Sequence, residues 1–297
     1  MSAEPRFSIV IPHLDAPLID RVLLAALEQA QRLDGELIVI GMERGTRRLD
    51  PWRTAVTPRL TLIDTDRPLN AGSARNMGVD AAVAERLLFI DADAVPQPGW
   101  AATLCAALEH SPLCGGSVEF GAATRWMLAD NLAAFFDLTP LTKRGPTRSI
   151  CSVNMGITRS LFRRLSGFDQ RLNTGEDFDL LLRALEAGIH PLFEPAARVL
   201  HLPQRNSREA LQQHARDWAA GSVLVRKRRN RPLLPGPLFR PLWLRLLGAP
   251  LALMAATVSL WRARRVLDAP WELLGPVYCS RRAWFRQAAQ TLGGEGR

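Results

Sequence analysis

The first two hundred residues alternate short, unbroken apolar runs with stretches whose apolar positions recur every three or four residues. Residues 7–11 (FSIVI) form a β-branched run that stops at Pro12, the pattern of a strand buried on both faces. Residues 17–33 then place Leu18, Val22, Leu23, Ala26, Leu27 and Ala30 on one helical stripe, with Pro17 suited to a first turn. ELIVI (36–40), RLTLID (59–64) and RLLFID (86–91) read as further strands, and residues 73–83 as an Ala-rich helix. Such alternation predicts a parallel sheet covered by helices. Ligands of these sheets bind beyond the carboxyl ends of the strands, which makes His13, Asp15, Asp91 and Asp93 the first candidates for a site.

Further on, residues 114–120 read as a strand, 124–138 as a helix and 143–149 as a loop. Residues 151–204 hold SVNMGITR, a helical FDLLLRALEAG closed by Gly188, and a last strand around 198–200. The pattern breaks at 226–241, where basic residues mix with four prolines. This divides the chain into an α/β domain, 1–225, and a basic, partly apolar helical tail, 226–297.

Composition adds exclusions. With 297 residues, 47% hydrophobic and 23% charged, the chain is no disordered, collagen-like or disulfide-built protein. Its four cysteines have no metal-ligand spacing, which predicts reduced thiols. MSAEPRFSIVIP lacks the basic-then-apolar order of a secretory signal, so a cytoplasmic location is expected. Charge is divided sharply: residues 1–204 hold 21 Lys and Arg against 24 Asp and Glu, whereas 205–297 hold 17 against five. A tail that basic implies an anionic partner.

The chemistry gathers in a few motifs. Asp91-Ala92-Asp93 ends an apolar strand, and from an extended segment its two carboxylates would face one cation; a solvated strand end is the bland alternative. Asn70-Ala71-Gly72-Ser73-Ala74-Arg75-Asn76 precedes it. Downstream come Val153-Asn154-Met155-Gly156, then Gly167-Phe168-Asp169, then Gly175-Glu176-Asp177-Phe178-Asp179. In this order, over roughly residues 6–225, the set resembles the family 2 glycosyltransferases, inverting enzymes with a nucleotide-sugar fold of GT-A type.

The resemblance implies a Rossmann-like mixed α/β sheet flanked by helices, followed here by the helical appendage. It implies that Pro12, His13, Asp15 and Glu43 surround the base or ribose of a nucleotide-sugar donor, with Asn70, Arg75, Asp91 and Asn154 also on the donor side. It assigns Asp93, Asp91 and His201 to a divalent cation, Mn2+ or Mg2+, Asp177 to the catalytic base and Glu176 to its orientation. The chemistry asks for such groups independently, since sugar transfer needs positive charge on the leaving diphosphate and a carboxylate facing the acceptor hydroxyl. Each residue also has a plain structural use. Asp177 can cap the helix behind it, His201 can be an ordinary surface histidine, Arg75 can pair with Asp80 or Glu85, and Asn154 can form a turn.

Two departures matter. The acidic run after the second strand is replaced by Gly41-Met42-Glu43-Arg44-Gly45, which leaves Glu43 as a displaced substitute. The Gln-x-x-Arg-Trp pattern of processive members is one residue too long in Gln213-His214-Ala215-Arg216-Asp217-Trp218, which points to addition of a single sugar.

The tail carries sixteen uncharged residues, 246–261, between Trp243 and Trp261. At 1.5 Å per residue that is roughly 24 Å, short of a ~30 Å hydrocarbon core. Arginines on both sides also disfavour a crossing. The expectation is a helix lying in an anionic membrane interface through residues 226–265, which makes the protein peripheral or monotopic on the inner face of the plasma membrane; packing on the catalytic domain is the alternative. The acceptor is then a lipid-linked or glycan hydroxyl. A nucleotidyltransferase would want a Gly-rich phosphate loop after the first strand, and HLDAPLID supplies none. A nucleic-acid-binding role is disfavoured by a single Tyr and no interleaved aromatics.

Overall fold

A computed structural model describes residues 4–54, 59–231 and 241–294. Within them nine strands form one sheet in the order β3-β2-β1-β4-β8-β6-β9-β5, with β7 (Gly145–Pro146) also paired to β9. β1 (Ser8–Leu14), β2 (Glu36–Met42), β3 (Leu60–Asp64) and β4 (Arg86–Ile90) are parallel, because a helix-bearing crossover returns the chain between them. The sheet then turns mixed. β8 (Asn154–Thr158) runs antiparallel to β4 and β6 (Leu113–Phe120), and β9 (Leu192–His201) antiparallel to β5 (Ala94–Pro96). The four strands whose alternation with helices predicted parallel pairing are parallel, and the sheet as a whole is mixed, as the resemblance implied.

α1 (Ile19–Arg32) and α4 (Trp100–Leu108) touch each other and cover strands from β1 to β9. α2 (Asp50–Thr54) is short and has no buried residue. α3 (Ala71–Ala81), α6 (Arg159–Arg164) and α7 (Glu176–Glu186) share one core with Val10, Ile38, Ile40 and Phe89. Gly78 makes the close seat of α3 possible, since a Cβ there would lie 2.5 Å from Val10 and 2.4 Å from Ile40. Gly41 has a like role in the sheet: a Cβ would lie 1.6 Å from the His13 carbonyl oxygen, its neighbour across β1 and β2.

The chain divides into two compact units. The first is residues 1–119 with 138–201; the second is 120–137 with 202–297. The second is helical: α5 (Arg125–Phe135), α8 (Arg208–Arg228), α9 (Pro241–Ala263), a 3-10 turn (Pro270–Leu273) and α10 (Leu274–Gly293). Two apolar clusters hold it together, one around Leu132, Leu211, Leu260 and Val277, the other around Ala219, Val223 and Ala288. The boundary expected at 225 falls inside α8, and of the proline-rich stretch 226–241, residues 232–240 lie outside the described residues.

The apolar helix is longer than its uncharged stretch suggested. α9 has 23 residues, roughly 35 Å, so length no longer argues against a crossing. Leu244, Gly248, Ala252, Ala256 and Leu260 are buried, a stripe of mostly small residues that lets α10 approach closely. The opposite stripe, Leu242, Leu246, Leu253, Met254, Val258 and Trp261, is exposed.

Candidate active site

The carboxyl end of β4 and the start of α7 bring two acidic motifs of the first unit together around one arginine. Arg75, on α3, is 2% exposed and donates from Nη2 to Asp91 Oδ1 at 2.5 Å and from Nη1 to Glu176 Oε1 at 2.7 Å. Its guanidinium also lies over the Phe168 ring. Burial works against its charge, but Asp91 and Glu176 outweigh this and raise its pKa above the ordinary value. Arg75 therefore pairs across the fold with Asp91 and Glu176, not along its own helix with Asp80 or Glu85. Its place is to lock two strand- and helix-borne carboxylates to one point. Gly72 clears the approach, since a Cβ there would meet the Glu176 side chain at 3.1 Å.

Asp91-Ala92-Asp93 is not extended. The Ala94 amide donates to the Asp91 carbonyl at 3.0 Å, closing a turn between β4 and β5. The two carboxylates consequently have different neighbours, Arg75 for Asp91 and His201 for Asp93. Asp93 Oδ1 lies 3.5 Å from His201 Nε2, because β5 pairs Ala94 with His201 at the end of β9. His201 is 3% exposed, which removes the surface-histidine alternative.

Asp177 follows Glu176 in the first turn of α7, whose N-cap is Gly175 at φ +81°, so Asp177 is not the cap. Its Oδ1 accepts the Phe178 amide at 2.7 Å and its Oδ2 the Ser152 amide at 3.1 Å. The carboxylate is thereby aimed by both the helix start and the loop before β8 while remaining partly exposed. Ser152 was not singled out from sequence; its position two residues before the β8 motif is the only signal. Glu176 is 6% exposed, and burial, with Asp177 beside it, raises its pKa despite Arg75.

At the ends of β1 and β2, Asp15 accepts from the Arg44 amide at 2.6 Å and from Arg44 Nε at 2.7 Å, which holds it below the usual carboxylate range. Burial raises the Glu43 pKa, but hydrogen bonds from the Leu49 amide, Thr46 and the Arg48 amide outweigh it and the net shift is downward. His13 is 4% exposed, and burial lowers its pKa. Neither ring nitrogen has a hydrogen-bond partner among the described residues, since Glu43 Oε1 at 3.7 Å is out of reach. Pro12, half-buried, precedes it on β1.

Two residues expected on the donor side make contacts within the fold. Asn154 is fully buried: its Nδ2 donates to the Ser117 and Ala197 carbonyls and its Oδ1 accepts from Trp100 Nε1, so its side chain clamps the sheet. Gly116 leaves it the room, as a Cβ there would sit 2.4 Å from Nδ2. Asn70 caps α3 by accepting the Ser73 amide, and donates to the Gln170 carbonyl.

No group of three His, Cys, Asp or Glu side chains poised for a metal occurs among the described residues. The donors at hand are the Asp93 carboxylate and the His201 imidazole, with Asp91 Oδ2 free of the Arg75 contact. An oxygen and nitrogen set of this kind fits a divalent cation such as Mn2+.

Comparisons with known proteins bear on the family and the fold. A segment of 161 residues, half of the chain, is 30% identical to the pre-mycofactocin glycosyltransferase of Mycobacterium tuberculosis, and the chain covers 32% of that relative's length. The fold is similar to that of a mannosyltransferase, PcManGT of Pyrobaculum calidifontis, solved with GDP-Man and Mn2+ (TM-score 0.64, 20% identity, 100% of this chain and 89% of that one). It is also similar to S. aureus TarS, residues 1–349, in complex with UDP-GlcNAc (TM-score 0.54, 12% identity, 97% and 92%). The family described as "Glycosyltransferase like family 2" matches residues 5–220, and the chain belongs to it.

Proposed function

We propose that this protein transfers a single sugar, with inversion, from a nucleotide-diphosphate sugar to a hydroxyl of a lipid-linked or glycan acceptor. The observation that carries the reading is the Arg75 bridge. It joins the donor-side Asp91 to the acceptor-side Glu176-Asp177 pair, so that one buried cation sets the spacing of both halves of the reaction. Neighbours of the same fold bound to GDP-Man or UDP-GlcNAc support a nucleotide-sugar donor.

Asp177 takes the proton of the acceptor hydroxyl. The acceptor oxygen forms its bond to the anomeric carbon from one side as the bond to the diphosphate breaks on the other, and the electron pair leaves with the phosphate. Glu176, held by Arg75, keeps the start of α7 in register. His13, Asp15 and Glu43 line the base end, where the unpaired His13 nitrogens offer a donor and an acceptor. Asp93, His201 and the free oxygen of Asp91 would hold the cation, whose chemistry is to neutralise the leaving diphosphate. The exposed apolar stripe of α9, with Arg262, Arg264 and Arg265 at its end, supports a seat on the cytoplasmic face of an anionic membrane as a monotopic helix.

The test is Asp177→Asn, scored by released nucleoside diphosphate over a panel of nucleotide sugars with and without Mn2+. The substitution keeps shape and removes basicity, so donor binding persists while kcat falls at least ~10²-fold. Turnover near normal would place the base elsewhere. Collapse of donor affinity would move Asp177 to the donor site.

A further inference from the structure

The helical unit contains a groove that the transfer chemistry leaves unused. α8 presents Arg208 and Arg216 eight residues apart, with Gln212 between them, and α10 presents Arg282, Arg286 and Gln290 at successive intervals of four. Both sets are helical stripes, and they line one cavity of about 330 Å³. A second cavity of about 380 Å³ shares Arg282, Arg286 and Gln290 and adds Arg245 of α9. The two form one groove that runs across α10 and ends at α9, where Arg245 stands next to the exposed Leu246.

Among the described residues no carboxylate lines either cavity. A solvated helix face usually intersperses acids with its arginines at such spacings. The nearest in sequence, Glu209 and Asp217, lie one position off the α8 stripe, and Asp217 accepts from Gln213. Among the described residues the recorded partners of the four guanidiniums on α8 and α10 are neutral: Arg216 donates to Gln213 Oε1 and Arg282 to the Tyr278 hydroxyl. Like charges gathered on facing helix stripes repel one another, and a bound anion relieves that. Guanidinium forks match phosphate oxygens two at a time, and the volume suits a small headgroup.

We propose that this groove binds the phosphomonoester or diphosphate headgroup of a membrane lipid, whose chains run out along the exposed stripe of α9. The proposal rests on the membrane reading of α9 given above. Its chemistry is more demanding than general attraction to an anionic surface, because a terminal phosphate offers more charge and more free oxygens than a phosphodiester.

The test uses the full chain and flotation with phosphatidylcholine vesicles carrying either phosphatidic acid or phosphatidylglycerol, matched for surface charge. Binding to the phosphomonoester vesicles is expected to be about tenfold tighter or more. The double variant Arg282→Gln/Arg286→Gln is expected to lose that preference while still floating with phosphatidylglycerol. Arg208→Gln/Arg216→Gln, on the other wall, should do the same, which guards against a folding defect in one helix. Inorganic pyrophosphate is the soluble probe: competition at millimolar levels supports the site, whereas submicromolar binding without vesicles would assign the groove to a soluble diphosphate and overturn the lipid. Flotation indifferent to headgroup and to both variants overturns the groove and leaves the membrane reading standing. A chain that floats with no vesicle overturns both.

Discussion

The two units use arginine in opposite ways. In the catalytic unit the recorded partners of its cations are mostly carboxylates: Arg44 with Asp15, Arg53 with Asp64, Arg144 with Glu194, Arg183 with Asp179, and Arg75 with two acids at once. In the helical unit several of the recorded ones are rings and neutral oxygens. Arg262 and Arg281 share the Phe136 ring, Arg264 covers Trp261, Arg281 donates to Ser259 and Lys227 to the Thr291 carbonyl. The pKa values follow: burial is opposed by two carboxylates at Arg75, whose pKa rises, and hardly opposed at Arg281, which burial pushes down to about 10. A matched cation fixes geometry. An unmatched one leaves its charge available to a partner outside the chain.

Removing the matched cation should cost most. Arg75→Met leaves Asp91 and the buried Glu176 without a counter-charge, and breaking such a pair costs about 3–5 kcal/mol. Urea unfolding at neutral pH is the measurement, together with loss of turnover. The pH dependence gives a second check. Without Arg75 the Glu176 pKa climbs further, and a carboxyl raised in the folded state contributes stability at low pH that is lost as pH rises through the raised value. The deficit of the variant should therefore be smaller at pH 5 than at pH 8. A flat deficit would mean that packing on Phe168, not charge, is what Arg75 supplies.

Asp130 breaks the pattern of the helical unit and sharpens the contrast. It is 2% exposed, accepts Arg205 Nε at 2.6 Å and lies 2.7 Å from His214 Nδ1. Burial pushes its carboxyl up, but His214 and Arg205 outweigh this and hold it below the ordinary value. A depressed acid contributes stability above the ordinary range near 4, lost as pH falls through its lowered value. Asp130→Asn should cost about 2 kcal/mol at pH 7 and much less near pH 3, read by urea unfolding at the two pH values. An equal cost at both would reduce the trio to hydrogen bonding.

How much of this was legible follows from where each signal lives. β1, β2 and β4 are runs of buried branched residues, and the pattern alone located them within a few positions. β5 and β7 were hidden because Pro96 and Pro146 read as loop, and such edge pairs tolerate proline. Most of β9 escaped because Glu194 and Arg198 interrupt its apolar run. The motif residues of the site were visible, but not their pairings. Arg75 meets acids 16 and 101 positions away, and Asp130 meets His214 across 84, distances at which local pattern says nothing. The clamp made by Asn154 was hidden for the same reason, since it depends on Gly116, Ala197 and Trp100 arriving from three other elements.

The smallest effect is expected at the unmatched arginine. Arg281 keeps its charge at neutral pH with burial against it, a penalty on the order of 3 kcal/mol for the shift to about 10. Its Nε is buried without a hydrogen-bond partner among the described residues, which adds to that cost. Against this stand one hydrogen bond to Ser259 at 3.1 Å, the Phe136 ring at 5.7 Å, and attraction to Asp137. Arg281→Met removes both sides at once. Ser259 is not orphaned, because its hydroxyl still donates to the Ala255 carbonyl at 2.8 Å. The thioether can fill the space against Phe136 and gain a sulfur–ring contact. Stability should therefore change by less than about 1 kcal/mol, or rise, as when buried charges give way to apolar residues of similar size. Thermal unfolding of the variant beside Arg75→Met reads the contrast directly. A loss above about 2 kcal/mol would mean that Asp137 matches Arg281 as fully as Asp91 and Glu176 match Arg75, and the division between the two units would fail at its most buried point.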